Sequence, residues 1–307
     1  MPPNTNIIIH WEVHMFNSII EEYMISNPRP RWKRTNDRHW PSEASCVMPD
    51  GSMVGKCLRE KYFDNKSYPP DKEIAPRIQR IMDVGKAIEQ SEIERAKNAG
   101  IWIADDVGFQ MEISDGIIVS GKLDAIYKDS DNNEVCVEYK TSSGYTFEKE
   151  VYGKFNRAKA NPKPEHILQV MIYLEAMKQI PYAIIYYVNR DKMDIMEHEV
   201  RLDGGYAIVN GDRTEFNIVS IYDRYILMSE YLNNDQMPPC DYCPIYPVDD
   251  IDDMMERGDM YKSTYTDWLD NGVRPGDGRC KYLCSYKATC LNYQGDTDDV
   301  SGAIVDL

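Results

Sequence analysis

The amino-acid sequence predicts an α/β fold, with a mixed central sheet flanked by helices. Three observations carry that expectation. Two short runs rich in Val and Ile, 117–127 (IIVSGKLDAIY) and 134–140 (EVCVEYK), flank the polar turn KDSDNN and read as a β-hairpin. The stretches 76–98 and 165–178 place apolar residues on one side at helical spacing. A buried strand at 182–189 (YAIIYYVN) follows, so strands and helices alternate along the chain. At 307 residues the chain is long enough for one large domain, or for a core domain with a helical attachment.

Taken in order, residues 10–26 (HWEVHMFNSIIEEYMIS) read as an amphipathic helix. A basic, proline-broken segment at 28–38 follows, with Trp32 and Trp40 available to stack on bases and arginines available to phosphates. Pro41-Ser42 reads as a helix start. The long helix 76–98 has Pro76 at its beginning and Gly100 just past its end. After the hairpin, 144–163 is polar and partly basic. The helix of 165–178 follows Pro162 and Pro164, and His166 shares a face with Gln169 as a polar neighbour. A strand at 193–201 and a helix at 214–233 come next, and 237–279 reads as loop-rich and acidic. Three units are expected: an N-terminal segment 1–75, a core 76–235 and a cysteine-rich segment with acidic tail 236–307.

The net charge of −16 argues against broad, charge-driven nucleic-acid binding. The acid is uneven, however: 249–259 and 296–306 hold much of it, whereas 28–38 and 149–163 are basic, which leaves room for a local basic groove. No apolar run approaches the ~20 residues of a membrane span. The start MPPNTNIIIHWEV lacks a basic region and a cleavage pattern, so a cytoplasmic chain is expected. With eight cysteines and no export signal, a disulfide framework is not expected.

The hairpin brings Asp124 near Glu138, and Glu138 and Lys140 point to one face of their strand. Two carboxylates with the Tyr139 carbonyl are hard oxygen ligands suited to Mg²⁺. A lysine beside them can orient water and offset charge on a phosphate, which is the equipment for phosphodiester hydrolysis. A chance D…ExK pattern in an acidic strand is the plain alternative. The late cysteines Cys280, Cys284 and Cys290 cluster in a polar stretch, which points to metal ligation, with zinc and iron–sulfur both open from spacing alone.

The order Gly121-x-x-Asp124, Glu138-x-Lys140, Gln169-x₃-Tyr173 resembles the RecB-type branch of the PD-(D/E)XK nuclease superfamily, which includes Cas4 and the AddB nuclease domain. The resemblance spans roughly 40–290. It implies a nuclease core in which Asp124 and Glu138 hold Mg²⁺ or Mn²⁺, Lys140 assists the attacking water, and Gln169 and Tyr173 line the DNA path. Family members often carry a His four residues after a Gly on the preceding helix. Here Glu89 follows Gly85, and a carboxylate still suits Mg²⁺ or Mn²⁺. Arg190 is the candidate for a basic residue that follows a family strand. Iron–sulfur members have one early cysteine and three late ones, so the resemblance implies a [4Fe–4S] cluster on Cys57, Cys280, Cys284 and Cys290. The late spacing here is C-x₃-C-x₅-C against the family's usual C-x₂-C-x₅-C, and Cys240-Asp-Tyr-Cys243 is a competing pair. Cys46 falls outside these patterns and is expected as a buried free thiol.

The function implied is a metal-dependent DNA nuclease, an exonuclease on single strands or DNA ends. One alternative is a Cas4-like end-binding subunit serving a helicase or CRISPR adaptation proteins; the chain itself has no helicase motif. Another is a structural zinc or iron–sulfur protein.

Overall fold

The computed structural model describes residues 15–28, 35–151, 161–242, 248–258, 260–270, 280 and 283–295. The chain opens with helix α1 (Met15–Ser26), strand β1 (Arg38–His39), a 3₁₀ turn (Pro41–Glu43), strands β2 (Ser45–Val47) and β3 (Met53–Gly55), and helix α2 (Leu58–Asn65). Then come α3 (Pro76–Ala99), β4 (Trp102–Ser114), β5 (Ile117–Lys128) and β6 (Glu134–Ser142). A single turn, α4 (Gly144–Thr146), leads into a π-helical turn (Phe147–Val151), followed by α5 (Pro164–Ala176), β7 (Ala183–Asn189), β8 (Ile195–Asp203), β9 (Tyr206–Val209) and β10 (Asp212–Asn217). The described chain closes with α6 (Ile218–Asn233), α7 (Val248–Glu256), α8 (Lys262–Asp270) and α9 (Lys287–Gly295).

Eight strands form one mixed sheet, as expected. β5 pairs antiparallel with β4, and β6 runs parallel to β7; β8, β9 and β10 continue antiparallel. Helices cover both faces. On one, Ile93 and Ala96 of α3 pack against Ala125, Tyr127, Val137 and Tyr139. On the other, Leu168 and Met171 of α5 and Ile221 and Tyr225 of α6 share the main core with Leu123, Ile185 and Val200. Burying these side chains is the main force holding the layers together, at roughly 1.5–3 kcal/mol for each fully buried large apolar residue.

The sheet has a deliberate opening. β5 and β6 pair only over Ala125–Lys128 and Glu134–Val137, then part. Further along the same edge of β5, β1 pairs in parallel at Ile118 and Val119, so the segment expected as 1–75 contributes a strand to the core sheet. The Pro41 turn lies against β5 there: a Cβ on Gly121 would stand 2.8 Å from Pro41 Cγ and 3.1 Å from the Phe109 ring. Gly121 is needed for that close approach.

The hairpin, the long helix with Gly100 as its left-handed cap (φ 76°), the 165–178 helix and the strands near 182–189 and 193–201 stand where expected, within a few residues. Besides β1, two parts of the sheet were not expected. β4 is one, although Val107, Phe109, Met111 and Ile113 alternate as a half-buried strand requires. The β9–β10 hairpin is the other: it turns at Asn210-Gly211, both at positive φ, so the helix expected from 214 starts only at Ile218, with the Asn217 side chain accepting Val219 N–H at 2.8 Å. The region expected as loop-rich holds α7 and α8. No helix among the described residues is long and apolar enough to cross a membrane.

The β2–β3 hairpin yields a stability test. Gly55 has φ +95°, and a Cβ there would meet Ala44 O at 2.2 Å. Gly55→Ala is expected to cost about 1–3 kcal/mol or more, read from urea midpoints. Gly51→Ala, at φ +81° with open space around it, should lose clearly less.

Candidate active site and cysteine cluster

Asp124 stands where β5 leaves β6. Its Oδ2 accepts the Tyr139 N–H at 2.8 Å, a donor with no β5 partner once the ladder has ended at Ala125–Val137. The carboxylate thus closes the ladder in place of a backbone carbonyl and is held inside the sheet. Tyr139 turns its ring to the α3 side, where its hydroxyl meets that of Tyr127 at 2.7 Å.

Glu138 is 2 % exposed. Its Oε1 accepts from Lys140 Nζ at 2.5 Å and from Gln169 Nε2 at 2.8 Å, while Gln169 Oε1 accepts a second bond from Lys140 at 3.0 Å. Gln169 also donates to the Tyr173 hydroxyl at 2.6 Å. Four side chains from β6 and α5 therefore form one closed network. Both helix residues are buried, Tyr173 at 2 % exposure with its ring edge-on to Phe109 at 5.9 Å. Gln169 and Tyr173, expected along a DNA path, are thus buried in contact with the acid and the amine, Gln169 directly and Tyr173 through Gln169.

Glu89 arrives from α3, one turn after Gly85, whose missing Cβ would stand 3.1 Å from Thr141 Oγ1 of β6. That close approach brings the helix to the carboxylates. Lys86 holds Glu89 Oε1 at 2.5 Å. Burial first, then the charges of Glu138 and Glu89, push the Asp124 carboxyl up to about 8, against the pull of Lys140 and the Tyr139 N–H. Burial acts to lower the Lys86 pKa, but Glu89, Asp106 and Asp124 outweigh it and raise it. Among the described residues no three His, Cys, Asp or Glu side chains stand in a finished metal-binding arrangement. The donor set nevertheless fits a divalent cation. Glu138 Oε2 is buried with no hydrogen-bond partner, and the charges of Glu138 and Glu89 both act on Asp124; carboxylate oxygens of this kind suit a hard cation.

Arg190 sits at the end of β7, its N–H bonded to Ser142 O at 2.9 Å, one residue past the Ser142–Asn189 pair. His166 is neutral: burial first, then Lys140 and Lys163, hold its pKa down at about 2, and its Nδ1 meets Tyr187 Oη at 2.6 Å. Trp32 and residues 152–160 lie outside the described residues, so most of both basic stretches does too.

The cysteines gather away from this site. Cys57, Cys240, Cys280, Cys284 and Cys290 line one small pocket with Arg59. The Cys240 thiol is within hydrogen-bonding reach of Cys57, Cys280 and Cys290, and Arg59 Nη1 donates to Cys290 Sγ at 3.6 Å. Contact with Cys240 foremost, then Arg59, lowers the Cys290 pKa, whereas burial raises Cys284 to about 12. Thiolate-rich donors of this kind suit zinc or an iron–sulfur cluster. Sequence spacing did not place Cys240 at the centre of the group; its CxxC with Cys243 was the available signal, and Cys243 lies outside the described residues. Cys46 is buried, and burial pushes its thiol up to about 11.

No family model and no curated protein matches the sequence. Among solved structures, the chain is similar to SSO0001, with TM-score 0.42, 15 % identity, and coverage of 73 % of this chain and 88 % of that one. It is also similar to LHK-Exo solved in complex with dAMP, with TM-score 0.38, 14 % identity, and coverage of 58 % and 78 %. At these identities and superpositions neither likeness bears on function.

The Asp124 shift sets a pH dependence for the metal-free protein. The folded carboxyl titrates near 8 and the unfolded one near its ordinary 3.8, so between these the native state holds a proton that the unfolded chain has released. Stability should therefore fall as pH rises from about 4 to about 8. Asp124→Asn should flatten that slope in chelator-treated protein, measured by thermal melts across the range. An unchanged slope would remove Asp124 as its source.

Proposed function

We propose that the chain is a metal-dependent DNA nuclease that hydrolyses phosphodiester bonds in single strands or at DNA ends. The observation that carries this reading is the convergence of Asp124, Glu138 and Lys140, with one buried Glu138 oxygen left open and Gln169 bridging the acid to the amine. In this reading Asp124, Glu138, Glu89 and the Tyr139 carbonyl would hold Mg²⁺ or Mn²⁺. When bound, such an ion polarises water and phosphoryl oxygen.

The chain's own residues supply the rest. Lys140, fixed by Glu138 and Gln169, presents a hydrogen-bond donor where water attacks phosphorus and the phosphoryl oxygens gain charge. Gln169, locked by Tyr173, keeps Lys140 and Glu138 in register. A groove of about 1540 Å³ reaches Gly121 and Lys122 of β5, short of Asp124, and is also lined by Arg38, Lys72, Trp40 and Phe109. Trp40 is 36 % exposed there and offers a stacking surface for an unpaired base, worth about 1–3 kcal/mol. Arg190, at the end of β7, is the proposed phosphate contact at the site edge. We also infer that the cysteine cluster carries a [4Fe–4S] centre, with zinc as the competing occupant. It would brace the core by joining the start of α2 to the C-terminal segment.

The deciding experiment is digestion of end-labelled single- and double-stranded DNA with and without Mn²⁺. Wild type should cut only with the metal. Asp124→Ala, Glu138→Ala and Lys140→Ala should each lose cleavage by about a hundredfold or more while still folded, in line with the loss of a transition-state contact. Cleavage at wild-type rate in all three would end the nuclease reading, and a wild type that binds DNA ends without cutting them would favour the end-binding subunit. Glu89→Gln should raise the Mn²⁺ concentration needed for half-maximal rate, and an unchanged titration would return Glu89 to a solvent-facing helix role.

A further inference from the structure

We infer that Cys240 is a ligand of the cysteine-held centre, in a set Cys57, Cys240, Cys280 and Cys290 from which Cys284 is left out. This rests on the reading that these cysteines hold a metal centre, and it departs from the grouping that sequence spacing favours. Cys240 is placed by contacts that do not involve its sulfur. On its N-terminal side, Pro238 O accepts from Arg59 Nε at 2.8 Å. On its C-terminal side, Asp241 Oδ2 accepts the Leu58 N–H at 2.7 Å, and the Tyr242 hydroxyl donates to Gly55 O at 2.8 Å. Asp241 is itself buried in an ion pair with Arg224. The strip 238–242 is thus laid across residues 55–59, and Cys240 must face Cys57 at the start of α2.

The other two positions come from the C-terminal segment, Cys290 in α9 and Cys280 ahead of it. Asp71 accepts the Thr289 N–H at 3.1 Å, and the Tyr286 hydroxyl donates to Asp64 at 2.6 Å, which docks α9 on α2 and turns Cys290 towards Arg59. Cys280 Sγ lies 3.3 Å from Tyr242 O, the same carbonyl that Cys240 Sγ meets at 2.7 Å. Cys284 differs in kind. Its sulfur accepts the Tyr286 N–H at 3.4 Å, a local turn contact, and it is not among the thiols within reach of Cys240, which are Cys57, Cys280 and Cys290. Four thiols that converge from three separate segments satisfy a four-ligand centre, which leaves the fifth surplus.

The test uses the full chain, purified without oxygen and reconstituted with iron and sulfide. Iron, sulfide and zinc per chain and absorbance near 400 nm are read for wild type, Cys57→Ala, Cys240→Ala and Cys284→Ala, with far-UV circular dichroism to follow folding. Cys240→Ala is expected to lose the bound metal as Cys57→Ala does, and Cys284→Ala to keep it. Because a ligand variant can misfold, loaded wild type is also alkylated with iodoacetamide and mapped by peptide mass: Cys284 should be labelled and Cys240 protected until a chelator is added. Metal retained by Cys240→Ala, metal lost by Cys284→Ala, or protection of Cys284 with labelling of Cys240 would overturn the assignment while leaving a centre in place. Wild type holding neither iron nor zinc would overturn the centre itself.

Discussion

Where two neighbouring strands separate inside a protein, the backbone donors along the split need new partners, and a buried donor left alone costs about 1–3 kcal/mol. In this fold the Tyr139 N–H is such a donor, and the Asp124 carboxylate meets it. That one bond lets β5 turn away from β6 without loss of pairing. It makes room for the Pro41 turn against Gly121 and for β1 on the freed edge, and it fixes a carboxylate beside the strand that carries Glu138 and Lys140. The opening in the sheet and the placement of the acid are one event.

Its electrostatic consequence runs through the rest of the site. Burial and the charges of Glu138 and Glu89 together favour the neutral form of Asp124. Lys140 and Lys86 each hold one acid, Glu138 and Glu89, and Gln169 adds a neutral donor to Glu138. Breaking a buried pair on one side strands the other charge, which costs more than the pair itself contributes. The network is therefore rigid, with Tyr173 and Phe109 packed behind it as a wall.

Much of this was legible in the sequence because short-range rules governed it. The Val/Ile runs around KDSDNN, the Pro76 and Gly100 boundaries and the period of 165–178 each depend on local preference, and the structure follows them. The two helix residues were harder. Gln169 and Tyr173 share a face at i, i+4, but spacing does not say whether that face looks at solvent or at Glu138; only the packing of α5 under the sheet decides. β4 carries its alternation in plain view, yet two acids at Asp105 and Asp106 interrupt its first half, and Asp106 stands at positive φ, 52°. Cys240 was the least legible of all, since its position follows from hydrogen bonds between segments far apart in the chain.

That distance has a bearing on how the protein comes into being. The start of α2 is completed by Asp241, 183 residues further along. At translation rates of about 5–20 residues per second, roughly ten to forty seconds pass between the emergence of Leu58 and that of its partner. Through that interval α2 has its apolar side uncovered and Cys57 without neighbours, while the hairpin and α3 can already assemble. α2 therefore gains the partner of its first N–H only after the whole hairpin and its covering helices have been made.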